Sequence, residues 1–460
     1  MENTIPAPRI ASARDLWGHV VAAASLVVGF AAFSIFPDPR MLPLVFLGAA
    51  ALVALLIYPE LALALYVVIG DVKGDERVAE LLPLDLTLAL GGVLIAGIIL
   101  NFLRKKRFVV MPPAYFLFIA LVALMVASLS YTPVLDAGLE KVGRFLTVTG
   151  IVIVAPFFVL GAAQAMKRFL IGFGVVAFVI CAYSLGSLGG SDRLVTPSSN
   201  TIGLGHIACG LILILWFGAL PRLPFLKRIL ICPLLAVPAL SLIGSGSRGA
   251  ALALGAVILL SLFFHRALLA DAVCLGALGF AAIPFVNIPQ ASFEYLETLV
   301  NSQSVNALLF FRAELLSYGW KLLQEHPLLG VGIQGFRYYS PNAGLYNWPH
   351  NIFLEVCCEL GLPAGILVVA LFGSAIREAW RQLKTHTAPH LVLSQVCAVL
   401  LAVGIVNATN TGDINSDRST WLFLSLVFVM RGLRIEASSA AQPATQPGSA
   451  NLQIVTTSSV

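Results

Sequence analysis

The chain has 460 residues, of which 59% are hydrophobic and only 11% charged, and its mean hydropathy is +0.92. Apolar runs of about 18 or more residues read as membrane-spanning helices, so an ordinary soluble domain is excluded. The formal net charge of +5 comes from lysines and arginines clustered in short loops, and it reports topology, not nucleic-acid binding.

Taken in chain order, apolar runs fall near residues 16–36, 41–58, 61–72, 83–103, 113–130, 145–164, 169–189, 203–220, 229–244, 250–264, 267–286, 351–375, 391–408 and 419–431. Barrel strands would be about ten residues long and alternate in polarity, so these runs predict an all-α, polytopic transmembrane helical bundle. The runs 61–72 and 419–431 are short against the roughly 20 residues that cross a bilayer, which puts the count at about 12 spans, up to 14 by hydropathy. The first run is too long for a signal-peptide core and predicts an uncleaved first helix.

Basic residues of short loops stay on the cytoplasmic side. Arg104-Lys105-Lys106-Arg107, Arg9/Arg14, Lys167-Arg168, Arg222/Lys227/Arg228, Arg377/Arg381/Lys384 and Arg431/Arg434 share one face if the runs alternate. Both termini then face the cytoplasm, and the one long internal loop faces the opposite side, which in a Gram-negative cell is the periplasm. The expected division is 1–286, N-terminal transmembrane helices; 287–350, a large periplasmic loop with amphipathic helices; 351–432, C-terminal transmembrane helices; and 433–460, a disordered tail rich in Ser, Ala, Pro, Gln and Thr. All seven cysteines lie inside apolar runs and none in the long loop, so neither a disulfide framework nor a thiolate metal site is expected.

Within the loop, Ala291 to His326 has helical texture, with Leu308, Phe311, Leu315, Tyr318 and Leu322 at three- and four-residue spacing. An amphipathic helix lying on the membrane surface is expected, ending where Pro327 disfavours helix at His326. Gly330-Val331-Gly332-Ile333-Gln334-Gly335 matches the dinucleotide fingerprint in form only, because no strand precedes it. It is read as flexible backbone near a polar head group. An aromatic segment follows (Phe336, Tyr338, Tyr339, Tyr346, Trp348) that suits an interface or a sugar face.

His350-Asn351 opens the next apolar run. The structural reading is an interfacial histidine with Asn351 as helix N-cap; the chemical reading is a proton acceptor at the water–lipid boundary, where a lipid-linked substrate presents its head group. Arg248, within Gly244-Ser245-Gly246-Ser247-Arg248-Gly249, is either a snorkelling anchor or a phosphate ligand approached closely because its neighbours are small. Arg312 lies on the same face and pairs with Glu314 on the structural reading. Further candidates are Arg193, His206 and the loop Asp413/Asn415/Asp417/Arg418. Glu355 and Glu359 share one helix face below His350; carboxylates at that depth need a partner, and an arginine is expected. No D-x-D string appears, and Asp71/Asp75/Glu76 are scattered from Asp413/Asp417, so no metal site and no cofactor are expected.

Ser247-Arg248-Gly249-Ala250 opening a span, then Arg312 with Trp320, then His326-Pro327-Leu328-Leu329-Gly330-Val331-Gly332, then His350-Asn351 and Gly361, resembles the O-antigen ligase and polymerase superfamily. Ligases of that superfamily carry His, then Asn, Ser or Gln, a Gly at the place of Gly361, and Gly, Thr or Tyr three positions on; here that last position is Ala364. The resemblance implies about twelve spans with a large periplasmic loop. It also implies metal-independent, inverting glycosyl transfer from undecaprenyl-pyrophosphate-linked O-antigen to lipid A–core oligosaccharide. The essential histidine carries over to His350 and two arginines to Arg248 and Arg312; Asn351 and Arg193 are added from the residues themselves as further substrate-binding candidates. Membrane lipids are the remaining partners. An O-antigen polymerase would take a second lipid-linked oligosaccharide as acceptor, and a protein O-oligosaccharyltransferase a serine or threonine hydroxyl. A secondary transporter would show an internal repeat and broken helices meeting at mid-membrane, and no repeat is visible.

Overall fold

The computed structural model describes residues 42–72, 85–104, 106, 108–187, 193–198, 200–220, 223–264, 302–340, 347–387, 390–410, 413–415 and 417–440. Among these residues the regular structure is entirely helical. The helices are α1 (Leu42–Ile57), α2 (Pro59–Val68), α3 (Leu86–Leu103), α4 (Tyr115–Ser128), α5 (Leu135–Arg144), α6 (Gly150–Val159), α7 (Ala163–Ser184), α8 (Thr201–Leu213), α9 (Phe225–Ser245), α10 (Arg248–Phe264), α11 (Ser302–Glu325), α12 (Gly335–Tyr339), α13 (Ile352–Thr385), α14 (His390–Asn410) and α15 (Arg418–Ala440).

Among the described residues six helices are long and apolar enough to cross a bilayer, or seven if the pair Phe46–Ile57 and Pro59–Asp71, bent by 109°, forms one span. The runs expected at 16–36 and 267–286 lie outside the described residues, as does the boundary at 286/287. Two expectations change. The run expected to begin at 145 begins at Leu135, because a π turn at Phe145–Thr149 joins α5 to α6 in one 25-residue helix whose first turns carry Glu140, Lys141 and Arg144. The last helix continues to Ala440, past the boundary expected at 432. In both places charged residues hid helix from a hydropathy reading.

Helix starts follow local chemistry. The Asp85 carboxylate accepts from Thr87 N (2.8 Å) and Leu88 N (3.2 Å), and Asn200 Oδ1 accepts from Gly203 N (2.9 Å), satisfying donors that a helix N-terminus leaves open. Pro59 starts α2, where its missing N–H is harmless. Large apolar side chains such as Phe102, Phe116, Ile171 and Ile366 stay exposed along the flanks, as a lipid-facing surface requires. At the centre, α4, α6, α13 and α15 meet around the fully buried Trp421, Phe145 and Phe157, and Tyr115 Oη shares a 2.8 Å hydrogen bond with Ser425 Oγ.

Candidate functional site

The site is organised by a break in α13. Pro363 has no N–H for the Glu359 carbonyl, and Gly361 takes φ 83°, ψ 173°, so the helical ladder opens there. The loop backbone fills the opening. Val331 N donates to Cys358 O (2.9 Å), Gly332 N to Glu359 O (2.8 Å), and Leu362 N to Pro327 O (2.8 Å). A Cβ at Gly361 would lie 2.1 Å from Leu328 O, so only glycine admits this crossing. Tyr131 Oη donates to Leu329 O (2.6 Å) and Thr132 Oγ1 to Ile333 O (2.7 Å), clamping the same turn from the other side. Burial pushes the Tyr131 phenol up, keeping it protonated as that donor.

The Gly330/Gly332 string is therefore a docking turn, not flexible backbone. A Cβ at Gly330 would lie 2.4 Å from the Glu359 carbonyl carbon, and one at Gly332 2.6 Å from Thr132 Cα. The loop helix α11 also differs from expectation. Its apolar face, through Leu315, Leu322 and Leu323, packs with Val331, Phe336 and Cys358 against the start of α13, leaving Trp320 exposed. Leu308 and Phe311 have no described side chains, and residues 291–301 lie outside the described residues.

His350 stands directly before α13 with φ 57°, a left-handed conformation that few non-glycine residues adopt. Asn351 is the N-cap, its Oδ1 accepting from Leu354 N (3.0 Å) and its carbonyl from Glu355 N (2.9 Å). The Trp348 indole N–H donates to His350 Nδ1 at 3.2 Å, and the two rings stand edge to face. Because indole is a donor only, Nδ1 is the unprotonated nitrogen, and a neutral His350 carries its hydrogen on Nε2.

The arginines fall into two places. Arg312 lies half-buried on α11, which packs on α13. Arg248 opens α10, half-buried, one turn beyond the end of α9. Arg193 joins it there: its Nε (2.7 Å) and Nη2 (2.5 Å) both donate to Ser245 O, holding the last carbonyl of α9. The small residues beside Arg248 serve helix contact, since a Cβ at Gly205 would lie 2.5 Å from Ser247 Cβ. Both places join α14, which packs on α10 and on α13.

Glu355 and Glu359 hold a lysine, not the expected arginine. Lys141 Nζ lies 2.6 Å from Glu355 Oε1 and 2.7 Å from Glu359 Oε2, with all three side chains buried. Ile414 N donates to Glu355 Oε2 (3.1 Å), and Asn415 Nδ2 to Lys141 O (3.0 Å), which ties the 413–415 turn to the same cluster. Lys141 escaped the sequence reading because it looked like a loop residue; its placement three residues before Arg144 on an amphipathic stretch was the available signal.

An apolar groove of about 720 Å³ lies between α7, α8 and α14, lined by Leu170, Phe178, Leu211, Leu215, Val392 and Val396, with Lys167 at its edge. Val392 and Val396 stand near the start of α14, beyond the end of α13 that is remote from His350, so the groove lies away from that residue.

Residues 233–369 match the family model described as O-antigen ligase, a stretch that contains Arg248, Arg312, His350, Asn351 and Gly361. No curated protein matches the chain. The family match supports the resemblance to the O-antigen ligase superfamily, whose members are membrane glycosyltransferase-like enzymes.

Proposed function

We propose that this integral membrane protein is an O-antigen ligase. It moves O-antigen from undecaprenyl pyrophosphate to lipid A–core oligosaccharide on the periplasmic side of the inner membrane. The observation that carries this reading is His350, set on the Asn351 cap of a broken helix and joined to Arg312's helix within the matched stretch.

In the reaction the acceptor hydroxyl oxygen attacks the anomeric carbon from the face opposite the leaving group. The carbon–oxygen bond to pyrophosphate breaks, and undecaprenyl pyrophosphate leaves with the electron pair, inverting the centre. His350 takes the hydroxyl proton. Its lone pair is on Nδ1, so the acceptor hydroxyl replaces the Trp348 indole N–H there before attack. Arg248 and Arg312 grip the pyrophosphate, and two charge-assisted contacts of about 1.5–3 kcal/mol each offset the charge that a divalent ion would otherwise neutralise. Arg193 positions Arg248 through the end of α9, and Asn351 orients His350 through the cap.

Ala364, at a position where ligases carry Gly, Thr or Tyr, favours a polymerase as the second reading; there a second lipid-linked oligosaccharide is the acceptor. Complementation of a ligase-deficient strain with matching sugars separates the two. Wild type restores long-chain lipopolysaccharide, and His350→Ala and Arg248→Ala, expressed at wild-type levels, do not. Full activity in His350→Ala sinks the base assignment, and failure of wild type moves the polymerase reading ahead.

A further inference from the structure

At the same end of the bundle as His350, a cavity of about 120 Å³ collects six polar residues from four parts of the chain: Asp71, Asn200, His206 and the run Asp417, Arg418 and Ser419. Chain connections tie it to the site above. Arg418 follows the turn whose Ile414 N holds Glu355 and whose Asn415 holds Lys141 O. Helix α8 brings His206 to the cavity and, one residue earlier, packs Gly205 on Ser247 beside Arg248.

The polar groups divide into two kinds. Asp417 is committed to its helix: Oδ1 accepts from Ser419 Oγ (3.0 Å) and Thr420 N (3.3 Å), and Oδ2 from Thr420 Oγ1 (2.6 Å). Asn200 is committed as the cap of α8, and its Nδ2 holds Asp71 Oδ1 at 3.1 Å. Arg418 is different. Its Nη1 is buried and makes no hydrogen bond to any described residue, the Asp71 carboxylate included, although both groups face the same cavity. Gly203 leaves room for the Asp71 carboxylate, and Gly70 lies in contact distance of the guanidinium. A Cβ at Gly203 would lie 2.1 Å from Asp71 Oδ1, and one at Gly70 3.4 Å from Arg418 Nη1.

Asp71 and Arg418 attract each other across this space without a hydrogen bond at Arg418 Nη1, an arrangement completed by a group that donates to one and accepts from the other. An anion meets two carboxylates against one guanidinium, and an apolar group leaves the Nη1 hydrogens unmade. A hydroxyl satisfies both, and the buried Phe173 and Phe423 border the polar groups with an apolar edge.

We propose that this cavity is a glycan subsite, in which a hydroxyl of one sugar of a lipid-linked substrate bridges Asp71 and Arg418. The subsite deepens the ligase reading and rests on it for the class of ligand. It holds a glycan in register for His350 and takes no part in bond breaking.

The test uses Ile202→Cys, at a part-exposed position in the cavity wall, in the full-length protein in proteoliposomes, with wild type as background. Maleimide labelling at that residue is followed by mass spectrometry without ligand, with undecaprenyl-pyrophosphate-linked O-antigen, with lipid A–core, and with sugar-free undecaprenyl pyrophosphate. Severalfold protection by one of the two glycolipids, and not by the sugar-free carrier, is the expected result; which glycolipid protects identifies the source of the sugar. Unchanged labelling with both glycolipids, or equal protection by the sugar-free carrier, overturns the subsite and leaves a water-filled cavity. Ser419→Cys serves as a second reporter if Ile202→Cys does not accumulate. Protection that persists in a His350→Ala background, while wild type transfers no glycan, keeps the subsite and removes the ligase reading. Transfer without protection does the reverse.

Discussion

Two clusters of charge lie at the same end of this bundle and solve the problem of burial in opposite ways. Lys141, Glu355 and Glu359 touch, with both carboxylates on one ammonium. Asp71 and Arg418 face one cavity, and the buried Arg418 Nη1 is left without a hydrogen bond. The first cluster is held by direct ion pairs that fix where helices meet, even though Glu359 Oε1 makes no hydrogen bond; the second has no such contact, and its guanidinium is left to whatever enters the cavity. The contrast separates charges that touch one another from charges that face a cavity.

The contrast breaks most visibly at Lys141. Removing one partner of a buried ionic cluster costs about 3–5 kcal/mol, so Lys141→Met is expected to lower the folded yield sharply in detergent, measured by size-exclusion profile and thermal unfolding. A Lys141→Met protein as stable as wild type would remove the structural role. His350→Ala shows the opposite pattern, with accumulation unchanged and glycan transfer down about 10²- to 10⁴-fold, the usual contribution of a general base. Radiolabelled transfer in proteoliposomes gives that number.

Gly361→Ala comes next. A non-glycine residue held at this φ costs on the order of 1–3 kcal/mol before the clash with Leu328 O is counted, so the 327–332 turn should undock and become cleavable by limited proteolysis. Asn351→Ala removes a helix cap at about 1 kcal/mol, seen as a modest fall in thermal stability. The smallest effect is expected from Trp348→Phe, which keeps a ring but loses the N–H on His350 Nδ1. One net hydrogen bond of about 0.5–1.5 kcal/mol predicts a 2- to 10-fold rise in donor hydrolysis by water relative to transfer. Nitrogen-15 spectra of labelled histidine in the wild type should show Nδ1 unprotonated; a protonated Nδ1 in neutral His350 would remove the gating role of Trp348.

The helices that were legible in the sequence are those whose apolar residues dominate a full crossing, such as α3, α7 and α14. Their burial is decided by composition alone. The first turns of α5 are hidden because Lys141 looks solvated until Glu355 and Glu359, more than 200 residues away, supply a partner, while Glu140 and Arg144 pair with each other on an exposed face. His350 and Asn351 stood out as a pair at a helix start, a local pattern. The Gly330/Gly332 turn does not reveal its role, since its bonding partners are carbonyls freed by the break at Gly361 and Pro363 on another element. Asp71 and Arg418 are 347 positions apart by their numbers, and only the fold brings them to one cavity.

The break in α13 also sets a rule for exchanging parts. Because backbone bonds splice the 327–332 turn into the helix ladder, the loop and the first turns of α13 form one mechanical piece, with Tyr131 and Thr132 as its third side. A chimera that swaps residues 302–340 for those of a relative must carry 351–362 and the 131–132 corner along with them, or the graft arrives with its own carbonyls and donors mismatched.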